Sequence, residues 1–241
     1  MIAGRNRVRS AGRRLMRRRI YLMRHGDVSY FDRSGGFLIR EDVPLTPRGR
    51  ERAMLASAAL APVEFDRVVA SGLKRTMETA ELVLRGREKA PPIESWRQFS
   101  ELRSGCYEEI ADEKLDASFL GPFQGTPQES TRFLDGEELG SLFDRVVPAL
   151  EELKRETDWE CALLVLHGAV NRAILSYMLT GKRIFLGNLQ QNPACLNIID
   201  VGKQWVVWAI NVTPSDLIHS DSKCTSIENI LRKYRKSRRR P

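Results

Sequence analysis

The chain has 241 residues, 42% of them apolar and 29% charged, which suits one sizeable α/β domain or two small ones with a real core. No apolar run approaches the ~20 residues that a bilayer span needs. The net charge of +8 belongs to the ends: residues 1–19 hold eight arginines and residues 231–241 hold seven Lys and Arg, neither with an acid, so the body keeps 24 basic against 31 acidic residues. A nucleic-acid-binding domain carries its charge on a structured face, so no specific nucleic acid is expected as a partner.

Residues 1–18 form a basic tail of low complexity whose like charges predict disorder. Three readings stay open for it. It can be a solvated tail, or an extension upstream of a start at Met16 or Met23. It can be an Arg-rich mitochondrial-type presequence. It can also contact anionic lipid or nucleic acid electrostatically. No apolar segment follows the charges, so a secretory signal is not expected.

The run Ile20 to Met23 predicts a buried strand, ending abruptly in Arg24-His25-Gly26-Asp27. Polar groups at the tips of parallel strands face a ligand crevice. Gly26 allows a sharp turn or a close approach to a ligand. A loop from Val28 to Pro44, with Gly35-Gly36, leads to a helix with Thr46 as N-cap and Pro47 in its first position, running to about Ala61.

Arg67 to Ala70 repeats the pattern: a short apolar strand, then Ser71-Gly72, then a helix from Leu73 to Val83 with Arg75 at its start. A helix N-terminus favours anions. Ile93 to Ser95 reads as a short strand, followed by Glu101 and Gly105. Residues 111–132 read as an irregular lid or substrate-facing excursion. A long amphipathic helix starts at Asp135-Gly136-Glu137-Glu138. Cys161 to Leu166 is the most hydrophobic strand, and it ends in His167-Gly168 before a helix from Ala169 to Leu179. Cys195 to Val201 and Gln204 to Ile210 read as a hairpin. Past Pro214 the chain turns polar and then basic, and it is expected to fray. His219 receives no catalytic role.

The cysteines, Cys106, Cys161, Cys195 and Cys224, include no C-x-x-C pair and meet few histidines. They predict reduced thiols, a cytoplasmic setting, and neither a zinc site nor a disulfide framework.

Two histidines directly follow buried strands and directly precede glycines, and two arginines lie near equivalent ends. Such a set describes a pocket for a dianion, and phosphate is the natural candidate. Arg24-His25-Gly26, Ser71-Gly72-Leu73-Lys74-Arg75-Thr76-x-x-Thr79-Ala80, Glu101 with Gly105, and Leu166-His167-Gly168 together resemble the histidine phosphatase superfamily, in its phosphoglycerate-mutase-like branch. The resemblance runs from about residue 19 to 212. It implies a three-layer α/β/α sandwich with a mostly parallel sheet, in a catalytic domain of residues 19–213 between tails 1–18 and 214–241.

The resemblance also implies a chemistry. His25 becomes a phosphohistidine, Arg24, Arg75 and His167 hold the equatorial oxygens, and Glu101 gives and takes the proton. Gly168, Asp27 and Ser29 are candidates for substrate or phosphate contacts. Neither a metal nor a cofactor is called for. The pattern departs at Val28 and Phe31, where many relatives carry Thr and Asn, which points to a more apolar or unusual leaving group. The short stretch from Glu101 to Gly136 lacks the insertion of the mutases, so hydrolysis of a small-molecule phosphomonoester is expected. A phosphomutase or a non-catalytic phosphate-binding module is the alternative. The substrate, the oligomeric state and the purpose of the basic tails, which could contact anionic surfaces, have no readable motif.

Overall fold

A computed structural model describes residues 17–32, 37, 42–105, 108, 110–219 and 223–238. The N-terminal tail through residue 16, Gly35-Gly36 and Cys106 lie outside the described residues. Six strands form one mixed sheet, β1 (Arg18–Arg24), β2 (Arg67–Ala70), β3 (Ile93–Ser95), β4 (Cys161–Leu166), β5 (Leu196–Val201) and β6 (Val206–Val212), in the order β3-β2-β4-β1-β5-β6. The first four positions run parallel, and β5 and β6 form the antiparallel hairpin at one edge. The architecture is the expected α/β/α sandwich.

Alternation along the strands decides which helices cover which face. Ile20, Leu22, Ala162, Leu164 and Leu166 pack against α4 (Leu139–Arg155) and α5 (Gly168–Thr180). Met23, Val68, Leu163 and Val165 pack against α1 (Pro47–Ala59) and α2 (Lys74–Leu84). A sheet buried on both faces explains why β1 and β4 read as continuous apolar runs. Thr46 caps α1 as expected, its hydroxyl accepting the Gly49 N–H at 3.1 Å, with Pro47 in the first turn.

β1 begins two residues before the apolar run, inside the expected tail. Arg18 donates to the Lys154 and Glu156 carbonyls, and Arg19 pairs with Asp200 of the neighbouring β5 at 2.7 Å. These partners are remote in sequence and carry no local signal.

The larger departure is at the C-terminus, where residues expected to fray form α6 (Ser226–Arg238). Its Thr225–Glu228 capping box closes the start: Thr225 N donates to Glu228 Oε2 at 2.6 Å, and Glu228 N to Thr225 Oγ1 at 3.3 Å. Leu231 and Tyr234 are buried with Phe37, Ile110, Leu115, Phe119 and Leu134 in a small core apart from the sheet. Arg235 pairs with Asp116 at 2.6 Å and Arg238 with Asp112 at 2.9 Å. The excursion over 111–132 is also more ordered than its sequence reads. It holds α3 (Leu115–Leu120) between two 3-10 turns. Its base is pinched: a Cβ on Gly105 would lie 2.7 Å from the Leu134 carbonyl, and one on Gly136 would lie 2.3 Å from that of Arg103. No described helix is long and apolar enough to cross a membrane.

Candidate active site

The sheet order sets β2, β4 and β1 side by side, all parallel, so their C-terminal tips meet. Arg24 and His25 end β1, Ser71 follows β2, and His167 follows β4. The His25 and His167 rings lie 5.2 Å apart, edge to face. Arg75 joins them from the first turn of α2. Thr79, one turn later, accepts the Gly26 N–H at 3.1 Å and donates to the Arg75 carbonyl at 2.7 Å. One hydroxyl thus ties the helix that carries Arg75 to the peptide that follows His25.

The tautomer of His25 follows from its partner. Nδ1 lies 2.7 Å from the Gly26 carbonyl oxygen, which can only accept, so Nδ1 carries the proton of the neutral ring. Nε2 then holds a lone pair, and it is buried with no hydrogen-bond partner. His25 is held well below the usual histidine range by burial first, then by the charges of Arg75 and Arg24. The ring is therefore a neutral nucleophile at physiological pH. His167 is pushed the same way by burial and then by Arg75, His25 and Arg24. Its Nε2 meets Ser71 Oγ at 2.7 Å, while its Nδ1 is buried without a partner.

Arg24, Arg75 and Arg172 are all buried here, and Glu101 is the carboxylate set against them. Burial and the charge of Arg24 push Arg172 down to about 10, which leaves it cationic at neutral pH. Buried guanidinium groups gathered at one set of strand tips favour an anion between them. Arg24 Nη1 donates to the Gln191 carbonyl at 2.5 Å and to Ser226 Oγ at 3.0 Å, while its Nε has no partner. Among the described residues, no three His, Cys, Asp or Glu side chains converge as a metal site.

Glu101 accepts from the Gly168 N–H at 3.0 Å and the Ala169 N–H at 3.2 Å, the open end of α5, and from Leu102 N at 3.0 Å. Its loop is fixed from α4. Arg145 donates to the carbonyls of Gln98, Ser100 and Glu101 at 2.6–3.2 Å and forks onto Glu137 at 2.9 and 3.0 Å. A bidentate guanidinium–carboxylate pair holds geometry as well as charge.

The structure gathers five of the sequence-derived candidates, Arg24, His25, Arg75, Glu101 and His167. Others take different roles. Asp27 turns its carboxylate to Arg52 at 3.2 Å, which neutralises a charge that would repel a phosphate. Ser29 forms its hydrogen bonds within its own turn, to the Phe31 carbonyl at 2.9 Å and from the Phe31 amide at 3.2 Å. Gly26 approaches protein and not ligand, since a Cβ there would lie 2.5 Å from the Gly49 carbonyl. The Gly168 amide is taken by Glu101 and its carbonyl by Arg172, at 3.0 Å each. Sequence reasoning passed over Ser71 and Thr79, although both stand in the quoted motif, and over Arg172, whose place one turn after Gly168 was the available signal.

Two cavities open from these strand tips. The larger, of about 510 Å³, meets Arg24, Arg75, Glu101 and Arg172. The smaller, of about 420 Å³, meets Arg24, His25 and Asp27, and His219 lies on its wall, bonded to Asn192 at 3.0 Å. Arg24, Tyr30, Ser226 and Ile230 line both and form the partition.

A histidine pair with buried arginines around it at parallel strand tips is an arrangement suited to a phosphate group. Residues 20–213 match the histidine phosphatase superfamily (branch 1), and the chain belongs to that family. It is 32% identical over 168 residues to human 6-phosphofructo-2-kinase/fructose-2,6-bisphosphatase 4, a match covering 67% of this chain and 33% of that protein. The chain thus spans about a third of the curated relatives it matches. Among solved structures, the alpha-ribazole phosphatase from Shigella flexneri is similar with a TM-score of 0.66 at 23% identity, covering 80% of this chain and 96% of that one. The phosphoglycerate mutase from Bacillus anthracis has a TM-score of 0.63 at 18% identity, covering 83% and 95%. These two likenesses speak to the fold.

Proposed function

We propose that the chain hydrolyses a small phosphomonoester through a phosphohistidine on His25. What carries this reading is the unpartnered, unprotonated Nε2 of a buried neutral imidazole beside two buried arginines. Nε2 attacks phosphorus in line, the bond from phosphorus to the ester oxygen breaks, and Glu101 protonates the leaving alkoxide. Water then attacks phosphorus as Glu101 takes its proton, the N–P bond breaks, and His25 and phosphate are released. Arg24, Arg75 and His167 bind the equatorial oxygens and stabilise the charge that develops there. A catalytic domain of residues 19–213 carries these groups. Burial raises the Cys161 and Cys195 thiols to about 11, which leaves them inert and fits a reducing, cytoplasmic setting.

The test is labelling with a radiolabelled aryl phosphate, quenched in alkaline detergent. Wild type is expected to form an acid-labile phosphoenzyme and release phosphate, with His25→Ala slower by about 10⁴-fold or more and Glu101→Gln by roughly 10²-fold. Turnover by His25→Ala near the wild-type rate would overturn the reading. Transfer of label to an added alcohol in preference to water would establish the mutase instead.

A further inference from the structure

The family match ends at residue 213, yet the site does not. Ser226, Ile227 and Ile230, from the first two turns of α6, line the larger cavity together with Arg75 and Glu101. Their placement is fixed from several sides. Ser226 Oγ accepts from Arg24 Nη1 at 3.0 Å and from Gln190 Nε2 at 3.2 Å. The capping box fixes the helix start, and Leu231 and Tyr234 bury the next turns against α3.

The cavity that α6 lines combines cationic and apolar groups. Arg24, Arg75 and Arg172 form a cationic floor. Tyr30, Phe37, Phe123, Phe133, Ile227 and Ile230, from the loop after β1, the excursion and the residue after it, and α6, give it an apolar wall. Further polar side chains line it from the stretch 97–104, and Arg145 lines it from α4. A volume of about 510 Å³ is in the range of sites for drug-sized ligands. A sugar seated against the apolar wall would leave hydroxyls without partners there, whereas a hydrocarbon leaves none.

We propose that α6 is the leaving-group wall of this site, and that the phosphomonoester it selects carries an apolar alcohol, ring- or chain-bearing, whose hydrocarbon lies on Ile227 and Ile230. The reaction rests on the hydrolase reading above. The binding preference does not, and the two are separable by experiment.

The test uses non-hydrolysable phosphonates and calorimetry on the full chain. One probe is 3-phenylpropylphosphonate and the other is 5,6-dihydroxyhexylphosphonate, of the same charge and similar length. Wild type is expected to bind the phenyl compound about tenfold or more tightly, the scale of burying a few methylene equivalents. Ile227→Asn with Ile230→Asn is expected to weaken the phenyl compound about tenfold and the diol less than about twofold. The Ile→Val pair at the same positions is expected to keep the preference, which separates a lost wall from a lost fold. Equal affinities in wild type, a tighter diol, no binding of either probe, or an equal loss of both in the Asn variant would each overturn the proposal. A phosphonate preference without hydrolysis of an aryl phosphate would instead sink the hydrolase reading and leave the subsite standing.

Discussion

The base of the site and its roof are built by opposite strategies. At the base, β1, β2 and β4 are central strands, buried on both faces, and their functional groups are within a residue of the last strand position. Their geometry is inherited from the sheet ladder. The roof is assembled from three distant segments, Phe37, the excursion with α3, and α6, around a small core of Phe119, Leu134, Leu231 and Tyr234. It joins the sheet domain through the Arg24–Ser226 bond, the pinched glycines at the base of the excursion, the Glu129–Arg183 pair and the aromatic chain Phe119–Phe133–Phe123–Phe185. On the proposed reading, the groups that handle phosphorus are set beneath a second small core that meets the rest of the substrate. That division lets one part hold a reacting geometry while the other adapts to a leaving group.

The sharpest way to break this comparison is to empty each core in turn. Leu164→Ala lies in the centre of β4 and is expected to cost about 2–5 kcal/mol of global stability, read as a lower urea midpoint. Leu231→Ala is expected to leave the main transition nearly unmoved, to speed amide exchange over 110–134 and 226–238, and to raise KM more than it lowers kcat. Equal shifts of the main transition in both variants would mean that roof and base are one cooperative unit.

Arg145 sharpens the boundary, because it holds the loop of Glu101 from α4 through the Gln98, Ser100 and Glu101 carbonyls. Arg145→Ala is expected to lower kcat by roughly 10²-fold through a mispositioned Glu101. The loss should be larger for alkyl than for aryl phosphates, since a good leaving group needs less help from the acid. An equal loss for both would assign Arg145 to the fold alone.

A smaller effect separates the two regions by pH. Both His25 and His167 have folded-state values lowered by burial, so between those values and about 6.5 the unfolded chain binds more protons than the folded one. The stability from keeping them neutral is present above about pH 6.5 and is lost as pH falls toward the folded values, at most about 1.4 kcal/mol per pH unit for each ring. Urea midpoints from pH 7 to 5 should therefore fall faster in wild type than in His25→Asn with His167→Asn. An unchanged slope would place the acid sensitivity elsewhere.

The base was legible in the sequence because its signals are local. A buried central strand declares itself as an apolar run, and a polar residue directly after it has only one place to go, the strand tip. Arg24-His25-Gly26 and His167-Gly168 were readable in that way, and Thr46 and Pro47 declared the start of α1. The second ring of groups was harder to read. Ser71 and Thr79 are small and common, and their partners His167 and Gly26 are 96 and 53 residues away. Arg145 reads as one more basic residue on an amphipathic helix until the carbonyls it collects are brought to it.

What the sequence by itself determined is the sheet and the polar residues at its strand tips, Arg24, His25 and His167, since alternation, strand ends and helix caps are properties of neighbouring residues, whereas Arg75 and Glu101 stood out only through the family resemblance. Tertiary structure alone decided that a polar, basic C-terminus becomes α6 and a wall of the site. Leu231 and Tyr234 are too few to mark a buried helix on their own. The surface that covers them comes from Phe37 and residues 110–134, whose contribution exists only after the chain has closed over the strand tips.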